Sequence, residues 1–200
     1  IDSNDFTVAA SGGDIKGATL SSNLSSADVT INTSTQGTAG GNGDIFVNDS
    51  VTWSSGKKLT LDAERNIHIY KTIDASSGSG GKVELKYGND YDFGLNKNGA
   101  STGFSGSLKL LSGSNFTTKK ETDAAAINYT VVNGKYELQA LTTNDTTMAY
   151  ALGSDIVLSA DGTTNWTPIS SYKGKFDGLG NSVSNLTIKT ETLSDIGLFG

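Results

Sequence analysis

The sequence predicts an all-β fold, a right-handed parallel β-helix with 22–25 residues per coil. Three observations predict it: alternating aliphatic triplets, a gapless internal repeat, and a composition in which Gly, Ser, Thr, Asn and Asp fill more than half of 200 positions. The triplets are Val29-Thr30-Ile31, Ile45-Phe46-Val47, Leu59-Thr60-Leu61, Ile67-His68-Ile69, Val83-Glu84-Leu85 and Leu108-Lys109-Leu110. Successive side chains of a strand point to opposite faces, so each triplet buries two aliphatics and turns its middle residue outward. Thr60, His68, Glu84 and Lys109 are therefore expected to face solvent.

Residues 44–56 align without gaps on 66–78, setting Ile45 on Ile67, Val47 on Ile69, Val51 on Ile73 and Gly56 on Gly78 at an offset of 22. Leu59 and Leu61 then fall on Val83 and Leu85 at an offset of 24, and Leu85 to Leu110 is 25. A period of this length, holding two or three strands and no helix, marks a solenoid whose units stack and share one core. The same strand recurs once per coil, so the ladder is parallel, and parallel crossovers are right-handed. An antiparallel sandwich also has short, regularly spaced strands, but it does not require a gapless self-match. Gly-rich gaps such as 34–43 and 78–82 read as turns.

The pattern divides the chain into regular coils over 1–114, a looser insertion over 115–148, and further coils over 149–200. Within the insertion, 119–126 is polar with weak helical preference, and 135–141 suits two helical turns. The chain opens on Ile1 and stops at Gly200 without a cap, and is read as a segment of something longer.

Charge and composition exclude several functions. There are 15 Lys and Arg against 21 Asp and Glu, net −6, with no basic cluster longer than Lys57-Lys58 or Lys119-Lys120. Nucleic-acid binding is not expected from such a chain. No apolar run approaches the roughly 20 residues of a membrane span, so membrane insertion is not expected. With no Cys and a single His, disulfides, thiol chemistry and two-His metal sites are out, and no cofactor is expected.

Two regions bear a resemblance. Residues 152–158, Trp166 to Ile169, Gly174 to Ile188 and Gly197-Leu198-Phe199-Gly200 form a string similar to repeats of very large Gram-negative exoproteins. These are the two-partner-secretion exoproteins of the filamentous haemagglutinin and high-molecular-weight adhesin type. Residues 43–85 resemble their core repeats, and together the two regions cover a little under half of the chain. The resemblance implies an internal β-helical segment of a secreted adhesin at the bacterial cell surface, in association with the Gram-negative outer membrane. It further implies an outer-membrane pore-forming transporter as partner during secretion, a host receptor or glycan as target, and no catalysis. The absence of Cys suits a chain threaded unfolded through such a pore, and coil-by-coil folding uses mostly local contacts.

Eight Asn-x-Ser/Thr sequons stand at Asn23, Asn32, Asn48, Asn115, Asn128, Asn144, Asn165 and Asn185, about twice the number that composition alone gives. Exposed, such Asn accept sugar. Some relatives among the high-molecular-weight adhesins carry hexoses there, which implies a glycosyltransferase partner. Against this, Asn, Ser and Thr all crowd into turns, and Asn185 suits a β-helix corner.

Asp90 and Asp92 share one side of an extended segment but fall short of the six to eight oxygens that calcium takes. Residues 40–44 lack the spacing of a calcium-binding nonapeptide repeat. His68 reads as a surface histidine. Asp74, Glu84 and Lys82 could cluster as in a β-helical polysaccharide lyase, but so would any scatter of surface charge. Trp53, aligned with Ala75, reads as packing, while Phe46 and Tyr70 point outward and are the better contact candidates. The expected function is thus a structural or adhesive segment mediating attachment to host cells. The alternatives are a polysaccharide lyase, or the stalk of a haem-scavenging or contact-dependent toxin exoprotein.

Overall fold

The computed structural model describes residues 3–96, 103–141, 143, 145–189 and 196–200. The chain is all-β in the main, with parallel sheets and two short helices. It begins with β1 Ser3–Val8, α1 Gly17–Leu24, β2 Val29–Asn32, β3 Thr38–Gly41, β4 Ile45–Val47, β5 Val51–Thr52 and β6 Lys58–Ala63. β7 Asn66–Ile69, β8 Ile73–Ala75, β9 Lys82–Tyr87, β10 Asp90–Asp92, β11 Leu108–Leu110 and β12 Gly113–Lys120 follow. β13 Ile127–Val132, α2 Lys135–Gln139, β14 Ala149–Leu152, β15 Ile156–Val157, β16 Lys175–Asp177 and β17 Val183–Ser184 complete it.

The strands are dealt in turn to three sheets, ordered β10-β7-β4-β1-β3, β11-β8-β5 and β16-β14-β13-β12-β9-β6-β2, with β15 and β17 forming a fourth. The internal repeat is the hydrogen-bonding register. Ile45 lies opposite Ile67, Val47 opposite Ile69 and Val51 opposite Ile73, all parallel. Leu59 and Leu61 lie opposite Val83 and Leu85. Their inward side chains are fully buried in one continuous core, as units that cannot bury their own apolar face require. Trp53 is buried too, its indole N–H donating to the Lys57 carbonyl at 3.0 Å. Its ring lies so close over Gly81 that a Cβ there would stand 2.2 Å from Nε1.

The structure departs from the sequence reading at five places. First, the 25-residue step to Leu110 fails. Leu108 and Leu110 pair with Ile73 and Ala75 in the three-stranded sheet, and Phe116 and Thr118 take the places opposite Val83 and Leu85. More residues separate β10 from β11 than β7 from β8, so the triplet enters the three-stranded sheet. Second, residues 34–43 hold β3, which runs antiparallel to β1. Third, α1 takes a strand's place in the first coil. It buries Leu20 and Leu24 and covers the free edge of β5, where Ser21 Oγ accepts the Thr52 N–H at 2.9 Å. Gly17 permits this contact, since a Cβ there would meet the Ser50 carbonyl at 2.2 Å.

Fourth, Thr60 is buried rather than solvent-facing, its hydroxyl donating at 3.4 Å to Glu84, which pairs with Lys58 at 3.0 Å. Fifth, the stretch read as a looser insertion supplies two strands to the largest sheet. β12 runs through Lys120, so residues 119–120 are strand, and β12 and β13 form an antiparallel pair. The helical turns expected at 135–141 appear as α2.

That antiparallel pair reverses the strand direction within the largest sheet. β13, β14 and β16 run parallel to one another and opposite to β2, β6, β9 and β12. The inner face changes with them. Ala149 and Ala151 of β14 face the first core, whereas Tyr150 and Leu152 face a second core with Ile156, Leu158, Trp166 and Ile169. All four residues of β14 are consequently buried. In this second body Ala149 lies opposite Lys175, Ile156 opposite Val183 and Ile169 opposite Phe199.

Ile67→Ala should destabilise the chain by about 2–5 kcal/mol in urea denaturation, the cost of a cavity in a packed core. Thr52→Ala, on an exposed position of β5, should stay within about 0.5 kcal/mol.

Candidate functional site

The corners that open the strands of the five-stranded sheet carry acidic or amide residues, and each ties itself to the next coil. Asp5 Oδ1 accepts the backbone N–H groups of Asn42, Gly43 and Asp44 at 2.8, 3.0 and 2.9 Å. Asp44 Oδ1 accepts the Asn66 N–H at 3.0 Å, and Asn66 Oδ1 accepts from the Asn89 side chain at 3.0 Å. Asp44 is buried and is clasped by Arg65, whose Nε donates to Oδ1 at 2.8 Å while Nη2 donates to Oδ2. Burial alone would raise the Asp44 pKa. The hydrogen bonds from Arg65 and Asn66 and the charges of Arg65 and His68 outweigh it and hold the carboxyl below its ordinary 3.8.

From this corner an outward row crosses the sheet. Phe46, His68 and Asp92 lie opposite one another on β4, β7 and β10. The Phe46 and His68 rings stack with centroids 4.9 Å apart, and Tyr70 follows at 5.6 Å from His68. His68 Nδ1 is 2.5 Å from Asp92 Oδ2, and its Nε2 faces Asp44 Oδ2 at 3.9 Å. Among the described residues, both ring nitrogens face carboxylates. The row offers a partly exposed aromatic surface flanked by charge.

Beside it opens a groove of about 740 Å³ lined by Asp62, Glu64, Arg65, Lys86, Lys119 and Glu121 among others. Burial raises the Asp62 pKa, with Lys86 lowering and Glu84 raising it further. Lys119 is committed to the Lys120 and Asp123 carbonyls.

The residues singled out in the sequence are scattered. Asp74, Glu84 and Lys82 are not brought together. Asp74 Oδ1 holds the Ser76 N–H and hydroxyl at 2.9 and 2.6 Å, Glu84 pairs with Lys58, and Lys82 donates to the Ser114 carbonyl at 3.0 Å. Asp90 accepts its neighbour's N–H, and Asp92 serves His68 and the Gly94 N–H. Among the described residues, no three His, Asp or Glu side chains are grouped to hold a metal ion.

Of the sequons, Asn23, Asn48, Asn128, Asn165 and Asn185 are exposed. Asn32 and Asn115 are half-buried, with amide N–H groups engaged by Asp62 and by the Leu111 and Ser112 carbonyls. Asn185 sits at a corner with φ +56°, its amide donating to the Ser159 carbonyl at 2.9 Å. Asn144 lies outside the described residues.

Within the Phe176-Asp177-Gly178 string, Asp177 Oδ1 accepts the Leu179 N–H at 2.9 Å, and Oδ2 accepts the Tyr91 hydroxyl. Burial, then the Asp177 charge, pushes the Tyr91 phenol far up. The string therefore anchors the later coils to β10.

No family model, curated protein or solved structure matches the chain. The geometry alone carries the functional argument. Among the described residues, no helix is long and apolar enough to cross a membrane.

Asp44 gives the site an acid dependence. A carboxyl held below its unfolded pKa stabilises fully above that pKa, and the contribution is lost as pH falls through the folded value. Stability should therefore decline below about pH 4. Asp44→Asn should cost about 1–3 kcal/mol at pH 7 and lessen the decline, read by urea denaturation at pH 7 and pH 3.

Proposed function

We propose that the chain is a non-enzymatic, structural and adhesive segment of a secreted bacterial surface adhesin. On this reading it folds as a right-handed parallel β-helix and is exported by two-partner secretion through an outer-membrane pore-forming transporter. It then stands at the cell surface and mediates attachment to a host receptor or glycan. The observation that carries the reading is the in-register parallel recurrence of β4 on β7, β5 on β8 and β6 on β9. Such a stack is stiff, extends by adding coils, and presents the same outward positions repeatedly, so weak contacts along it add.

The reversal at β12 and β13 fits a single hand of coil. Strand direction inverts while the order along the sheet continues, and the same hand then requires the interior on the other face. The second core supplies that interior. Right-handedness itself rests on the general preference of parallel crossovers.

Attachment should be measured with the purified chain on host epithelial cells, with and without glycosidase treatment. Saturable binding that treatment abolishes is expected, and no binding by the folded chain would contradict an adhesive role. In natively secreted material the intact mass should exceed that of the bare polypeptide, with sugar first on Asn23, Asn48, Asn128 and Asn165. A mass equal to the bare chain would remove the glycosyltransferase from the account.

One observation favours a second reading, a polysaccharide lyase. The groove beside Arg65 is lined by three carboxylates and three cations, groups of the kind that general acid–base cleavage uses. Release of unsaturated product from uronate polymers, followed by ultraviolet absorbance, would establish it.

A further inference from the structure

A second concavity lies away from that groove, where β11 meets the turns at 153–155 and 178–182. It encloses about 550 Å³, within the roughly 300–1,000 Å³ of small-molecule sites. Its polar floor is built by three side chains from distant parts of the chain. Lys109 Nζ donates to Asp155 Oδ2 at 2.8 Å and to Asn181 Oδ1 at 2.5 Å. The Asn181 amide donates to the Leu108 and Leu152 carbonyls, both at 2.8 Å, which fixes its orientation. Asp155 Oδ1 accepts the Ser182 N–H at 2.8 Å and its hydroxyl at 3.1 Å. One wall is Phe104, half of its surface exposed, braced edge-on by Phe93 at 6.4 Å between centroids.

The floor is held in place yet not saturated. An ammonium has three donors and a carboxylate oxygen two acceptor positions, so, among the described residues, Lys109 retains one N–H and Asp155 Oδ2 one lone pair. The two charges cancel locally, which disfavours a strongly anionic or cationic ligand. An adjacent donor and acceptor match a vicinal diol, and an exposed ring beside them matches an apolar sugar face.

We propose that this pocket binds a neutral pyranose, stacked on Phe104 and hydrogen-bonded through its hydroxyls to Lys109 and Asp155. The proposal gives the adhesive reading a ligand class and rests on that reading for its use at a cell surface, though not for the binding itself.

The test titrates the purified chain with the methyl glycosides of galactose, glucose, mannose and N-acetylglucosamine, read by saturation-transfer NMR. At least one should bind, with a Kd on the order of 1 mM. Phe104→Ala should abolish the transfer and Asp155→Asn should weaken it at least tenfold. Tyr136→Ser, on the exposed face of α2, should leave it unchanged. Phe104 is already exposed, so its removal should leave the thermal midpoint in place. No transfer from any of the four glycosides, or transfer indifferent to Phe104→Ala, overturns the proposal, as does tighter binding of N-acetylneuraminic acid. Cell attachment by a chain that binds none of the sugars would overturn the pocket and keep the adhesive reading. Sugar binding without cell attachment would do the reverse.

Discussion

Everything in this fold depends on the burial of inward aliphatic side chains against their counterparts one coil away. A fully buried Ile, Leu or Val stabilises by about 1.5–3 kcal/mol relative to exposure. A single repeat places two or three such residues in each sheet and has nothing to cover them. With repeats paired in parallel register, Ile45, Ile67 and their neighbours become fully buried. The corner residues hold this alignment: Asp5, Asp44 and Asn66 each reach across to the next coil, so a slip along the strand would break those bonds.

A stack has ends, and exposed strand edges invite pairing with other chains. At one end the protein covers two of its three edges. α1 lies along β5, and β3 returns antiparallel along β1. In the middle, the β12–β13 turn lets one sheet serve two cores, with Ala149 and Ala151 on one side and Tyr150 and Leu152 on the other. The Tyr91–Asp177 and Asn181–Leu108 hydrogen bonds join the later coils to the earlier ones. The Lys109 pocket exists because of that junction, since its three polar groups come from segments on both sides of the reversal.

The fold was legible where spacing equals register. From Ile45 to Leu85 the offsets read in the sequence are the strand pairings, because each inward position must meet another inward position. Legibility ended at Leu108-Lys109-Leu110, since an aliphatic triplet has no mark of which of three sheets it enters. α1 was hidden because its apolar residues, Leu20 and Leu24, lie among Ser and Gly that suit turns equally well. The site was less legible than the fold. Asp92 falls 24 residues after His68, the same offset that joins Leu61 to Leu85, so their contact was available from the repeat. Lys109, Asp155 and Asn181 are 46 and 72 residues apart, and no periodicity joins them.

The in-register parallel stack can be tested by engineered disulfides, made clean by the absence of native Cys. Neighbouring strands lie about 4.8 Å apart, within the range that a disulfide spans. Thr60→Cys with Glu84→Cys, and Thr52→Cys with Asp74→Cys, place partners directly opposite in two different sheets. Mild oxidation should cross-link both pairs within the monomer, while the crossed pair Thr52→Cys with Glu84→Cys should stay reduced. Cross-linking of the crossed pair, or failure of both matched pairs in a folded chain, would contradict the stack.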